Sequence, residues 1–145
     1  MVRVLFISSL QALPRILRFA DLLKREGHEI HVLEWDRSGE LPATEVKDGI
    51  SFIRYRKASS FGFKVLLQFL GWVLFQIIHL TRNDYDVIHP QNLDSLIPAL
   101  LSLSMRGKRS RLLYDMADFY ADAYLNFPVV KKLISALERI LVKKS

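Results

Sequence analysis

The chain contains no cysteine. A disulfide framework and a thiolate metal site are therefore excluded, and the composition suits a reducing cytoplasm. Glycine is also scarce, and where it is missing matters: none occurs between Ser8 and Gly27. The loop after the first apolar run thus lacks the GxGxxG pattern, whose glycines let backbone N–H groups close on a pyrophosphate. That counts against a nicotinamide or flavin dehydrogenase. No P-loop, nucleophile elbow or paired-cysteine pattern occurs. The four histidines, His28, His31, His79 and His89, fall in different segments, so no metal site is expected. His28 and His31, three apart, would lie on opposite sides of a strand. No Gly/Ser/Pro-rich linker, internal repeat or low-complexity tract divides the chain. The first residues do not read as a secretory signal, because polar residues follow Ile7 at once.

What is present describes one compact domain. With 145 residues, half of them hydrophobic and a quarter charged, the chain is long enough for one core and too apolar for disorder. Its net charge of +6 favours anionic partners such as phosphates and acidic lipid headgroups. The basic residues are spread over several segments with no aromatic–basic recognition motif, so no nucleic-acid partner is expected.

Two periodicities alternate. Val2 to Ile7, Glu29 to Trp35, Ile50 to Tyr55, Asp86 to His89 and Arg111 to Asp115 read as strands. Thr44 to Val46 is a further short candidate, joined to Ile50 by the tight-turn signal Asp48-Gly49. Helical patterns run from Pro14 to a stop at Gly27, from Phe63 to Leu80, from Leu93 to Met105 and from Pro128 to Lys144. In the first helix, Ile16, Leu17, Phe19, Ala20, Leu22 and Leu23 form the expected apolar side. Strands alternating with helices predict an α/β fold: a Rossmann-like, open, mainly parallel sheet with helices on both faces, over residues 1–145 as a single domain.

Ligands of such sheets bind beyond the carboxyl ends of the strands. The chain turns polar there: Ser8, Ser9 and Gln11 after the first strand, Asp36 and Arg37 after the second, His89, Gln91 and Asn92 after the Asp86 strand, Asp115 and Asp118 after the last. Each has an ordinary alternative; Asn92 or Asp94 is also a natural helix cap. Four strand ends carrying such groups together make a candidate cleft.

The ordered set "VRVLFISS", "REGHEIHVLEWDR", "DGISFIRYR", "DYDVIHPQNLDSLIPALL" and "LLYDMADFYAD" resembles the N-terminal domain of family 4-like glycosyltransferases. The resemblance extends from Met1 to about Ser145. It implies one half of a GT-B architecture, in which two Rossmann-like domains face each other across a cleft. The N-terminal half of that family binds the acceptor. The C-terminal half binds the nucleotide diphosphate sugar, here a UDP- or GDP-sugar. Three expectations follow. The donor-binding domain is absent from this chain, which holds no cofactor and is inactive alone. The intact enzyme retains configuration as it moves a hexose to a lipid-linked or glycan acceptor. The partner is a donor domain or a separate donor subunit. Two departures stand out: Ser8-Ser9-Leu10-Gln11 replaces a glycine pair, and Ala117 stands where relatives place a histidine before Asp118. The donor-sugar contact of that histidine is not carried over, and no catalytic residue is assigned. By resemblance, Arg37 is placed to meet an acceptor phosphate. Two other functions fit the same residues: a non-catalytic, membrane-associated adaptor that recruits a donor subunit, and a nucleotide-binding regulator.

Phe63 to Leu80 is interrupted only by Lys64, Gln68, Gly71, Gln76 and His79. It is slightly short for a bilayer span and is expected to pack against the sheet. Phe69, Trp72 and Phe75 are candidates for lipid contact. With Lys131, Lys132, Arg139, Lys143 and Lys144 on the last helix, they suggest a cytoplasmic protein peripheral to the inner, anionic face of a membrane.

Overall fold

The computed structural model describes residues 1–12, 14–58, 63–107 and 110–115. The expected helix from Pro128 to Lys144, its basic residues and Asp118 lie outside the described residues. Within them, β1 (Arg3–Ser8), α1 (Pro14–Arg25), β2 (Glu29–Asp36), β3 (Thr44–Lys47), β4 (Ile50–Arg56), α2 (Phe63–Arg82), β5 (Val87–Pro90), α3 (Leu93–Arg106) and β6 (Arg111–Leu112) follow in order. The sheet order is β3-β4-β2-β1-β5-β6. Every pairing is parallel except β3 with β4. The fold class is α/β and Rossmann-like, as expected.

Local chemistry sets the boundaries. Asp48 (φ 50°) and Gly49 (φ 72°) both take positive φ, and Lys47 pairs with Ile50. A two-residue hairpin of that hand requires such residues. After α1, His28 N–H donates to Leu23 C=O (3.1 Å) across Gly27 at φ 83°, so the helix ends on a left-handed glycine.

The two faces bury different sets, as strand alternation requires. Val4, Phe6, Ile30, Val32, Ile50 and Phe52 meet Ile16 and Ala20 of α1. Leu5, Ile7, Leu33, Trp35 and Ile88 meet Trp72, Leu80 and Ala99 of α2 and α3. The buried stripe of α1 is narrower than expected: Ile16 and Ala20 pack on β1, β2 and β4, while Leu17, Phe19 and Leu22 are exposed.

Pro98 stands inside α3. It has no N–H to offer Asp94 C=O one turn earlier. The side chain of Gln76, fully buried on α2, donates to that carbonyl instead (3.1 Å). The glutamine that interrupts the apolar pattern of α2 thus fills the hydrogen-bond gap left by a proline on its neighbour.

Candidate functional site at the carboxyl ends of the strands

From β1 the chain steps one way to β2, β4 and β3 and the other way to β5 and β6. The crevice beyond β1 and β5 is therefore the topological switch point, where open α/β sheets take ligands. Its floor is well defined. Ser8 Oγ donates to Gln91 Oε1 (3.0 Å), and Gln91 N–H donates to Ile7 C=O (2.9 Å). Gln91 also pairs with Asp115 in an isolated parallel bridge. Asn92 N–H donates to Asp115 C=O (3.0 Å).

Above that floor the groups are more open. Arg15, half exposed in the first turn of α1, contacts Asp115 Oδ2 at 2.8 Å, joining residues 100 apart in sequence. His89 packs its ring 5.0 Å from that of Phe6. Burial pushes the His89 imidazole below its ordinary pKa, while the Asp115 charge pulls the other way. Asn92 is the N-cap residue of α3, but its side chain makes no capping hydrogen bond. Its backbone sits at φ 66°, ψ 171°, a region almost confined to glycine that costs a side-chain residue about 1–3 kcal/mol. Such strain persists where the surroundings hold it, and here it sits at the mouth of the crevice.

Arg37 is exposed, stacks its guanidinium 4.7 Å over Trp35 and donates from Nε to Ser9 C=O (3.2 Å). It lines a cavity of about 270 Å³ with Leu10, Gln11, Trp35 and Ser38.

The predicted residues thus divide. Ser9, Gln11, Arg37, Asn92 and Asp115 follow the carboxyl ends of their strands, Gln11 and Arg37 line a cavity, and His89 is half-buried against Phe6 inside β5. Ser8, Gln91 and Asp36 do not line an open cleft. Ser8 and Gln91 are buried and satisfy each other. Asp36 is fully buried; its oxygens accept from Ser38 N–H (3.0 Å), Ser38 Oγ (2.6 Å) and Leu41 N–H (2.9 Å). Burial raises its pKa, but these donors prevail and hold the carboxyl below the usual range. Asp36 builds its loop and is corrected from a ligand-facing residue to a structural one.

Three residues missed in the sequence support the site. Arg15 is one. The others are Glu34 and Arg54, paired in register on β2 and β4 and both buried. Arg54 Nε donates to Glu34 Oε1 (2.6 Å), and Nη1 reaches Glu45 (2.9 Å). The second Glu34 oxygen accepts from Ala12 N–H (2.6 Å) and so fixes the loop after β1. Burial works against the Arg54 charge, yet the two glutamates hold its pKa above the ordinary value. A charge inside each of two otherwise apolar strands was the available signal.

A cavity of about 530 Å³ lies beside this pair, lined partly by Gln11, Leu17, Asp21, Leu41 and Phe52. Another, of about 540 Å³, opens at the amino ends of the strands between Val2, Tyr85, Asp86 and Arg111. That edge is opposite the one at which folds of this type take ligands.

No family model and no curated protein sequence matches the chain. Solved structures do. Sucrose-phosphate synthase from Thermosynechococcus elongatus superposes with a TM-score of 0.67 at 11% identity, over 97% of this chain and 40% of that one. In fold the chain resembles one Rossmann-like half of a GT-B glycosyltransferase. Trehalose-6-phosphate from E. coli bound with UDP-2-fluoro glucose superposes with a TM-score of 0.51 at 15% identity, over 77% of this chain and 32% of that one. The same fold also occurs in the C-terminal domain of a hydrogenase from Pyrococcus furiosus (TM-score 0.63, 10% identity, 79% of this chain and 92% of that one). The chain spans less than half the length of either sugar-related structure. At these identities the likeness shows the fold alone.

Proposed function

We propose that this chain is the acceptor-binding half of a glycosyltransferase. Its intact form would move a hexose from a UDP- or GDP-sugar to a lipid-linked or glycan acceptor. The observation that carries this reading is the switch-point crevice. Arg37, His89, Asn92 and Asp115 come from separate strands or the residues just after them, Arg15 of α1 meets Asp115, and the loop after β1 has no glycine to bring backbone donors onto a diphosphate. A wall of side-chain donors and acceptors suits hydroxyl-rich acceptors, and Arg37 suits an acceptor phosphate through paired charged hydrogen bonds. The GT-B-like fold supports the same division of labour, with the donor held by a second domain or subunit.

The chain alone would then bind acceptor and not transfer sugar. Calorimetric titration separates the readings. Saturable heat with glycan or lipid-linked acceptors, and none with UDP- or GDP-sugars, is the expected result. Tight binding of a nucleotide sugar by the isolated chain would contradict the proposal. Binding of free nucleotide without need of a sugar would point to the nucleotide-binding regulator instead.

A further inference from the structure

Independently of the acceptor reading, we infer that the outer face of the α2–α3 layer is a docking surface for an anionic lipid bilayer. On α2, Leu67, Leu70, Leu74 and Ile78 are exposed by 54%, 50%, 58% and 49%. Their spacing of three and four residues puts them on one stripe, turned away from Trp72, Gln76 and Leu80, which face the core. On α3, Ile97, Leu101 and Met105 repeat every fourth residue and are exposed as well. The two helices pack side by side on one face of the sheet. Scattered exposed leucines are ordinary; two adjacent apolar stripes form a patch, which water disfavours and a partner covers.

Charge selects the partner. α2 has no acidic residue, and the one acid of α3, Asp94, is buried. Lys64 and Arg82 stand exposed near the two ends of α2, and the whole chain carries +6. A second copy would bring like charges together with no exposed carboxylate on either helix to offset them. An acidic headgroup layer matches both the apolar stripe and its cationic ends, as for a helix lying in the interface plane. No helix among the described residues is long and apolar enough to cross a membrane. The lipid-facing set also differs from the sequence expectation. Trp72 is fully buried, stacked on Trp35 at 6.2 Å, so Leu67, Leu70, Leu74 and Ile78 take the place assigned to Trp72 and Phe75.

The test is flotation of the whole chain with vesicles of phosphatidylcholine, with and without phosphatidylglycerol. Recovery with the anionic vesicles, falling with salt, is expected. Leu70→Gln with Leu74→Gln should lower partitioning by at least about tenfold, because two leucines no longer leave water. Both positions are exposed, so the thermal unfolding midpoint should hold. Lys64→Gln with Arg82→Gln should lower recovery on anionic vesicles alone, which tests the surface without touching its apolar stripe. Three results would each overturn the inference: no recovery on anionic vesicles, equal recovery on neutral ones, or dimerisation abolished by the leucine pair.

Discussion

Gln76 illustrates how a single polar side chain is held inside an apolar layer. Its amide donates to the Asp94 carbonyl, to which Pro98 has no N–H to offer. Gln76→Leu should destabilise the domain by about 1–3 kcal/mol, because a buried carbonyl loses its donor. The penalty should shrink when Pro98→Ala restores a backbone N–H one turn away. A double-mutant cycle by denaturant unfolding measures this; equal penalties in the two backgrounds would show that the hydrogen bond is not what Gln76 contributes. His79 gives a second test. Burial pushes its pKa down to about 4, with the His31 and Arg3 charges adding to the effect. Its Nε2 lies 2.8 Å from the Tyr85 hydroxyl, whose pKa burial pushes up to about 12. The folded state therefore favours neutral imidazole. Relative to neutral pH, stability should fall as pH drops from about 6.5 towards 4, where the unfolded chain binds the proton and the folded one does not. His79→Gln should remove that one-proton dependence from the pH profile of the unfolding midpoint. Residue roles of this kind were only partly legible in the sequence. Asp36, Ser8 and Gln91 carry the right chemistry at the right strand ends, but Ser8 and Gln91 meet across 83 residues, and Asp36 is claimed by Ser38 and Leu41 through the shape of its own loop.

At the scale of elements, the close contact of α2 with β4 rests on Gly71. A Cβ there would strike the Tyr55 hydroxyl and come within 3.1 Å of Cζ. Tyr55 has little freedom to yield, since its ring packs against Trp35, Trp72 and Phe75. Gly71→Ala gains about 1 kcal/mol in helix propensity, yet overpacking costs about 1–3 kcal/mol. A net loss of stability is expected, and Tyr55→Phe in the same chain should recover part of it. A rise in the unfolding midpoint of Gly71→Ala alone would mean that the helix stands further off than described. Element positions were largely legible in advance, because hydrophobic period, Gly27 and Asp48-Gly49 mark ends through local chemistry. The orientation of α2 was not. Its sequence is apolar on nearly all sides, so periodicity could not tell the Trp72 face from the leucine stripe. The Glu34–Arg54 pair escaped for a related reason: only the register of β2 with β4 shows that two mid-strand charges neutralise each other.

For the whole molecule, the order β3-β4-β2-β1-β5-β6 matters most, because it places the switch-point crevice between β1 and β5. The sequence showed the alternation of strands and helices and the polar strand ends. The closure of that crevice by Ser8 and Gln91, and its bridging by Arg15 and Asp115, required the tertiary fold. The fold is shared with sugar-related structures and with a hydrogenase domain, so the argument for acceptor binding rests on the rim rather than on the architecture. The most direct measurement is backbone and side-chain chemical-shift mapping while the isotopically labelled chain is titrated with a lipid-linked or glycan acceptor. The account predicts saturable shifts at Arg15, Arg37, His89, Asn92 and Asp115, and little change under a UDP- or GDP-sugar. Acceptor-induced shifts confined to Val2, Tyr85, Asp86 and Arg111 at the opposite edge would contradict it.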